Sequence, residues 1–324
     1  MLSTSPPRST STGPSPTFRH EALAYENHQE FVAWTAHFVR DGVDRNEPVM
    51  VAVEADKIDP LRRELGRHAD GVHFVDARTV GNPARIIPAW RDFMDRQAEA
   101  ERPVRAVSEP AYPGRSADEL AECEVHEALL NLALGDTRLW LVCLRDQRSM
   151  AEAAAAELRN HPFVRHGDSA VANPHYRPIT NDDGGPLSSP LPAPPTHQRL
   201  RFGSGSLSYL RRYVRGEVVG AGLTGARADD LVLAVSEAAA NSVMHGGGQG
   251  ELLVWHTDET VVCEIRDRGH VSDPLAGRVR PLPGQPDGRG LWIVNAVCDL
   301  VQMRSSAAGS VIRMHQRIVG PSIG

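Results

Sequence analysis

A proline-rich stretch near the middle of the chain, NDDGGPLSSPLPAPPTH at residues 181–197, divides the sequence into two parts. Proline lacks a backbone N–H and fixes φ, so such a run disfavours the interior of both helices and sheets. We interpret residues 179–198 as a linker between two blocks of domain size, residues 19–178 and 199–324. Residues 1–18, rich in Ser, Thr and Pro, are expected to form a disordered tail.

Charge and cysteine usage narrow the class of protein. The net charge is −6, so the chain lacks the basic excess that would indicate a nucleic-acid partner. The sequence contains no run of eighteen apolar residues, so no membrane-spanning segment is expected. Cys123, Cys143, Cys263 and Cys298 lie far apart, which is typical of a reduced cytoplasmic protein. Cys123 and His126 share a helical face, but without a second ligand pair nearby they do not predict a metal site.

The first block alternates apolar strand patterns with helical ones. Strand patterns cover residues 47–55, 72–77, 104–110 and 138–146. Amphipathic patterns cover residues 28–43, 59–68, 84–100, 117–134 and 149–161. This alternation predicts an α/β domain with a mostly parallel sheet and helices on both faces.

A ligand site in such a domain would lie beyond the carboxyl ends of the strands. The segment Ser108–Ser116 follows one strand and carries Glu109, Tyr112 and Arg115. It is either an ordinary loop or part of a ligand site. No GxxxxGK sequence occurs in the chain, so this block is not a P-loop nucleotide-binding domain.

The second block predicts an α+β sandwich of two layers. Residues 198–203 form a candidate edge strand, followed by helical patterns at residues 206–222 and 226–246. Two hairpins and a glycine-led helix complete the block, at residues 250–269, 299–318 and 288–298 respectively.

The helical sequence SEAAANSVMHG places Glu237, Asn241 and His245 four residues apart, on one face. The same row extends back to Leu233, so we expect it to border the core. A polar group buried there without a partner costs about 1–3 kcal/mol. Either an internal partner or a bound ion or nucleotide must therefore satisfy Glu237 and Asn241.

Two further motifs follow in order. Asp267 and Gly269 end a strand, where a carboxylate can accept from an exocyclic amine and a glycine lets a flat base approach the backbone. A long loop from His270 to about Asp287 leads to DGRGL, in which Gly288 and Gly290 open a helix. Backbone N–H groups at a helix N-terminus bind phosphate oxygens.

Together EAAANSVMH, DRG and GRGL resemble the N, G1 and G2 boxes of the GHKL, or Bergerat-fold, ATPases. Within that superfamily the second block, across residues 200–318, is most similar to the anti-sigma-factor serine kinases of the RsbW and SpoIIAB type. The first block resembles a MEDS sensory domain in EPVMVAV, IIPAWRDF, RPVRAVSEP and ECEVHEALLNLAL.

The resemblance implies a role for each matching residue. Glu237 would be the general base, and Asn241 would hold Mg²⁺. Asp267 would accept from the adenine amine, and Gly269 would line the base pocket. The remaining phosphate-binding positions would be Gly288, Arg289, Gly290 and Leu291.

The resemblance further implies an ATP- and Mg²⁺-dependent serine/threonine kinase that phosphorylates an anti-anti-sigma (STAS) protein and binds a sigma factor. An unknown small ligand would act on the first domain, and a homodimer is compatible with this architecture. Two alternatives stay open. One is a nucleotide-binding switch that sequesters a partner without phosphorylating it. The other is a sensor histidine kinase that uses His126, in VHEALLN, as its phosphoacceptor.

Overall fold

The computed structural model describes residues 18–97, 102–148, 158–167, 169–179, 185–282 and 288–318. The predicted tail lies outside these residues except for Phe18, and so does most of the helix predicted at residues 149–161. The last residues of that pattern, Leu158–Asn160, form a short 3₁₀ turn.

The first domain is built on a seven-stranded sheet with the order β3-β2-β4-β5-β1-β6-β7. Its strands are β1 (Arg19–Tyr25), β2 (Val49–Val53), β3 (Val72–Asp76), β4 (Val104–Ser108), β5 (Leu139–Asp146), β6 (Phe163–His166) and β7 (Ser169–Ala172). All neighbouring strands are parallel except β6 and β7, which are antiparallel. The predicted mostly parallel sheet is confirmed, and β1, β6 and β7 are additional to the four predicted strands.

Helices cover both faces of this sheet, as predicted. They are α1 (His28–Asp44), α2 (Ala55–Leu65), α3 (Ala77–Val80), α4 (Ile86–Asp95) and α5 (Ala117–Leu134). On one face Phe31 of α1 packs in a core with Val51 and Val142. On the other face Trp90 of α4 and Leu129 of α5 share a core with apolar residues of β2, β4 and β5. Helix α5 begins with a reciprocal capping box between Ser116 and Glu119.

The second domain has a five-stranded antiparallel sheet with the order β11-β12-β10-β9-β8. Its strands are β8 (Gln198–Gly203), β9 (Gln249–His256), β10 (Thr260–Asp267), β11 (Leu300–Ser306) and β12 (Gly309–Arg317). Its helices are α6 (Leu207–Gly220), α7 (Gly225–His245) and α8 (Arg289–Val297). Both predicted hairpins and the edge position of β8 are present, and the predicted α+β sandwich is confirmed.

The two domains contact each other through the sheet of the second. Arg317 Nη2 of β12 donates to Glu119 Oε1 of α5 at 2.8 Å. The described part of the proline-rich segment also lies against the second domain. Leu187 is 3 % exposed, and Arg313 Nη2 of β12 donates to Pro192 O at 2.7 Å. Helix α5 is therefore an element of the first domain's core that also contacts the second domain.

No helix among the described residues is both long and apolar enough to cross a bilayer.

Candidate functional site

Helix α7 presents two polar side chains at the edge of its packed face. Ala238 and Ala239 are fully buried beneath the helix, whereas Glu237 and Asn241 are half-buried. The row borders the core, as expected, but Leu233 is 42 % exposed and His245 is exposed, so only its middle is partly buried. The alanines and valines one position away point into the core instead.

In the part of the chain that the structure describes, neither Glu237 nor Asn241 forms an ion pair or a side-chain hydrogen bond with another residue. The internal partner that would satisfy these groups is therefore not found among the described residues. Both groups keep their oxygen atoms available on the side of the helix that faces α8.

The first turn of α8 lies directly on this pair. A Cβ atom added at Gly290 would stand 2.9 Å from Asn241 Nδ2 and 3.2 Å from Glu237 Oε2. Any larger residue would push the turn away, so a glycine is required for this approach. Gly288 precedes the helix with φ of +88°, a left-handed conformation that disfavours other residues.

The α8 N-terminus offers backbone donors beside the pair. The first helical hydrogen bond is from Trp292 N to Gly288 O, at 3.4 Å. The amides of Arg289, Gly290 and Leu291 precede it and have no acceptor within the helix. These N–H groups and the helix dipole favour an anion at this position. The side chain of Arg289 is exposed, and that of Leu291 is half-buried.

Asp267 lies at the end of β10, beside the end of α7. Its Oδ2 accepts from Ser242 Oγ at 2.6 Å, and its Oδ1 accepts from Ser310 Oγ at 2.6 Å and from the amide of Gly269 at 2.8 Å. Ser242 follows Asn241 directly, so one helix positions both predicted ligand contacts. A carboxylate oxygen has two lone pairs, which leaves Oδ2 one further acceptor site.

Glycines allow the close approach of strand and helix at this point. A Cβ at Gly246 would stand 2.5 Å from Asp267 Cγ, and one at Gly269 would stand 2.8 Å from His245 O. Gly269 is therefore needed for packing β10 against the α7 terminus, a requirement that the sequence pattern did not reveal. Its predicted place in a base pocket stays a prediction.

The described part of the loop between β10 and α8 is folded against α8. We define residues 270–288 as the lid segment, of which residues 283–287 lie outside the described chain. Gly277 has φ of +74°, and its carbonyl accepts from Asn295 Nδ2 at 2.9 Å. The next residue, Arg278, is 2 % exposed and pairs with Glu122 of α5, with 3.2 Å between Arg278 Nη2 and Glu122 Oε2.

A second contact joins α8 to the first domain. Arg85 Nε donates to Asn295 O at 2.9 Å, and Arg85 Nη2 donates to Cys298 O at 2.8 Å. Asn82 Nδ2 also donates to Asn295 O, at 3.1 Å. The side chains of Asn82 and Arg85 thus bind the C-terminal end of α8. The N-terminal end of the same helix lies on Glu237. No sequence pattern predicts this contact, because it depends on how the two domains meet.

The donor set fits the Mg²⁺ and ATP that the sequence resemblance implies. Mg²⁺ prefers oxygen ligands, and Asn241 Oδ1 supplies one, with the Glu237 carboxylate beside it. Gly290 leaves clear the position that a Cβ would fill next to both groups. The amides of the α8 N-terminus suit phosphate oxygens, and Asp267 suits an amine donor.

The loop Ser108–Ser116 in the first domain is closely packed. Glu109 is fully buried, 2.6 Å from Lys57 Nζ and 2.5 Å from the hydroxyl of Tyr25. Burial raises the pKa of Glu109, and the charge and hydrogen bond of Lys57 oppose that effect. Arg115 Nε donates to Pro110 O at 2.7 Å. These polar groups satisfy one another, as in an ordinary structural loop.

His126, the alternative phosphoacceptor, is unsuited to that role. It is fully buried in α5, and burial lowers its pKa to about 3. Neither ring nitrogen has a hydrogen-bond partner among the described residues. A phosphoacceptor must reach ATP, which this position in the domain core prevents.

Comparison with known proteins gives two family matches. Residues 19–162 match the MEDS family, described as the methanogen/methylotroph DcmR sensory domain, and residues 204–316 match the histidine kinase-like ATPase domain. A similar solved structure contains the RsbU and RsbW domains of a Mycobacterium tuberculosis protein. It is 18 % identical and covers 37 % of this chain and 32 % of that chain, with a TM-score of 0.29. The chain thus spans about a third of that structure's length. No curated protein matches the sequence.

Proposed function

This chain joins a MEDS sensory domain to a histidine kinase-like ATPase domain, and we propose that it is a regulatory serine/threonine kinase. In this proposal it uses ATP and Mg²⁺ to phosphorylate an anti-anti-sigma (STAS) protein, and thereby controls a sigma factor in the cytoplasm. The first domain responds to a small ligand and sets the activity of the second.

One observation carries the proposal: the carboxylate of Glu237 and the amide of Asn241 lie side by side under the N-terminal turn of α8. Neither side chain is engaged by another described residue. A carboxylate, an oxygen ligand for a metal and a set of phosphate-binding amides therefore converge on one point. Phosphoryl transfer needs chiefly positioning and charge neutralisation, which these groups can supply.

In the proposed reaction Glu237 would orient the hydroxyl of the partner's Ser or Thr and accept its proton. The hydroxyl oxygen would bond to the γ-phosphorus of ATP as the bond from that phosphorus to the bridging oxygen breaks, and ADP would leave. Asn241 Oδ1 would hold the metal, and the first-turn amides of α8 would bind the phosphates. Asp267 Oδ2 accepts from the adenine amine, which favours adenine over guanine. When bound, Mg²⁺–ATP supplies the phosphoryl group and the neutralising charge.

The contacts between domains support the regulatory part of the proposal. Glu122 of α5 pairs with Arg278 of the lid segment, and Arg85 holds the C-terminal end of α8. The lid segment and the C-terminal end of α8 are thus both connected to the MEDS domain. A ligand that shifted α5 would change the position of the lid segment, because the ion pair between them is buried.

A transfer assay tests the proposal. The full chain is incubated with γ-³²P-labelled ATP, Mg²⁺ and each purified STAS protein of the source genome. We expect acid-stable phosphate on a Ser or Thr of one STAS protein. Tight ATP binding with no transfer to any STAS protein would contradict the kinase and favour the non-enzymatic switch. Acid-labile phosphate on His126 would favour the histidine kinase.

A further inference from the structure

A second cluster of chemically distinctive side chains lies in the core of the MEDS domain, away from the nucleotide site. It consists of His20, Glu127, Cys143 and His161, each fully buried. One potential ligand atom from each residue lies within 4.8 Å of all the others. Two imidazoles, a thiol and a carboxylate rarely converge in an apolar core unless something binds them together, because each loses its hydration there.

The fold brings these residues together from four distant parts of the chain. β1 and β5 are parallel neighbours in which Ala22 is opposite Cys143. His20 is two residues before Ala22 and therefore shares its face of the sheet with Cys143. Helix α5 packs on that face and supplies Glu127. His161 comes just before β6, the other neighbour of β1.

The spacing of the ligand atoms suits a small tetrahedral ion. His20 Nε2 lies 3.2 Å from Glu127 Oε2 and 3.3 Å from Cys143 Sγ. His161 Nε2 lies 3.0 Å from the same Glu127 Oε2. Tetrahedral zinc with bonds of about 2.0–2.3 Å separates its ligand atoms by roughly 3.3–3.8 Å. These three distances lie within a few tenths of an ångström of that range, and the remaining pairs of ligand atoms lie within 4.8 Å of each other.

Outer contacts orient two of the four ligands. Asn131 Oδ1 accepts from His20 Nδ1 at 3.2 Å, which leaves the lone pair of Nε2 directed into the cluster. Asn131 Nδ2 donates to Asn160 O at 2.8 Å, so the amide orientation is itself fixed. Arg145 Nη2 lies 3.1 Å from Glu127 Oε1 and holds the carboxylate oxygen that is not shared with the histidines. Such outer partners accompany metal-bound histidine and carboxylate ligands.

We propose that His20, Glu127, Cys143 and His161 bind one zinc ion. Zinc suits this mixture of nitrogen, sulfur and oxygen better than Mg²⁺ or Ca²⁺, which require oxygen ligands. All four positions come from the protein and all are buried, which is the arrangement of a structural rather than a catalytic site. The ion joins β1, β5, α5 and the segment before β6.

Metal analysis of the full chain tests this proposal without reference to its activity. The wild-type protein should contain one zinc per chain by mass spectrometry, retained through dialysis against a weak chelator. Cys143→Ser and Glu127→Gln should reduce the content at least tenfold. Cys123→Ser is the matched control, since this buried cysteine lies outside the cluster and donates to Pro110 O, and it should keep one zinc per chain.

Two measurements keep the test decisive if the ligand variants do not fold. X-ray absorption at the zinc edge of the wild-type protein should show one sulfur and three nitrogen or oxygen neighbours. The variant Asn131→Leu keeps all four ligands and should weaken zinc affinity about 10–100-fold in competition with a coloured chelator. Wild-type protein without stoichiometric metal, a zinc shell without sulfur, or stoichiometric iron or copper in place of zinc would each overturn the proposal.

Discussion

The carboxylate of Glu122, in helix α5, lies between two arginines of the second domain: Arg278 Nη2 at 3.2 Å from Oε2 and Arg304 Nη1 at 2.6 Å from Oε1. All three side chains are nearly or fully buried. Arg278 belongs to the lid segment and Arg304 to β11. One side chain of the first domain therefore pairs with an arginine of the lid segment and an arginine of β11 in the second domain.

Replacing Glu122 with Gln should loosen this interface. The substitution leaves Arg278 and Arg304 buried without a counter-charge, and removing one partner of a buried pair costs about 3–5 kcal/mol. We expect faster amide hydrogen exchange in residues 270–282 and a lower melting temperature. Glu124→Gln, on the half-buried side of the same helix, is the control and should leave exchange in the lid segment unchanged. Equal exchange in both variants would contradict the role of Glu122.

Replacing Glu237 with Gln should slow phosphoryl transfer about a hundredfold or more while ATP still binds. A positioned general base contributes about 10²–10⁴-fold to the rate, and Gln keeps the shape of Glu without accepting a proton. The measurements are the transfer rate to the STAS partner and the ATP dissociation constant. Glu259→Gln is the control, because this exposed carboxylate lies just before β10, about 25 Å from Asp267 along the strand at roughly 3.3 Å per residue. Transfer in Glu237→Gln at close to the wild-type rate would remove Glu237 from the base role.

Replacing Gly290 with Ala should weaken ATP binding at least tenfold. The new Cβ would stand 2.9 Å from Asn241 Nδ2, which forces α8 away from α7. Titration calorimetry with ATP measures the effect. Gly216→Ala in α6 is the matched control, since a Cβ there meets open space. That variant should bind ATP normally and gain about 0.5–1 kcal/mol of stability from the better helix former. Unchanged affinity in Gly290→Ala would show that the α8 turn does not form the phosphate site.

Replacing Asp267 with Asn should reduce the preference for ATP over GTP. The carboxylate accepts from Ser242, Ser310 and Gly269 N. In the variant an NH₂ donor would replace one of its oxygens, whereas the adenine amine needs an acceptor there. We expect ATP affinity to fall by about tenfold or more, in line with the loss of a charged hydrogen bond. Ser310→Ala removes only a neighbouring contact and should cost much less. A variant that still prefers ATP as strongly as the wild type would contradict the base-reading role.

The stability of the folded chain should fall as the solution becomes acidic, partly because of His315. Burial lowers the pKa of His315 to about 4; the charges of Asp118, Glu119 and Glu264 oppose this effect, and that of Arg313 reinforces it. The unfolded histidine binds its proton near pH 6.5, whereas the folded one stays neutral until about pH 4. The contribution is present above pH 6.5 and is lost as pH falls to about 4, and it amounts to at most about 3 kcal/mol.

Urea unfolding across this pH range measures the effect of His315. His315→Gln should flatten the loss between pH 6.5 and pH 4, because Gln does not titrate. His256→Gln, an exposed histidine at the end of β9, is the control and should follow the wild-type curve. Identical pH dependence in wild type and His315→Gln would show that other groups account for the loss.

Local patterns in the sequence were sufficient to predict much of this protein. Helices such as Ala117–Leu134 and the hairpin of β9 and β10 follow from hydrophobic periodicity and turn residues, which act between close neighbours in the chain. The order of Glu237, Asn241, Asp267 and Gly290 indicated one site for the same reason. β1 was missed because its polar residues do not form the apolar run expected of a buried parallel strand.

Contacts between residues that are distant in the chain could not be predicted from local patterns. His20 and Glu127 each look unremarkable in the sequence, and they become neighbours because β1 lies beside β5 under α5. Glu122 and Arg278 are likewise 156 residues apart, and their pairing depends on how the two domains dock. Periodicity specifies the direction in which a side chain points from its own element. It does not specify which element lies opposite, because that depends on packing across the whole fold.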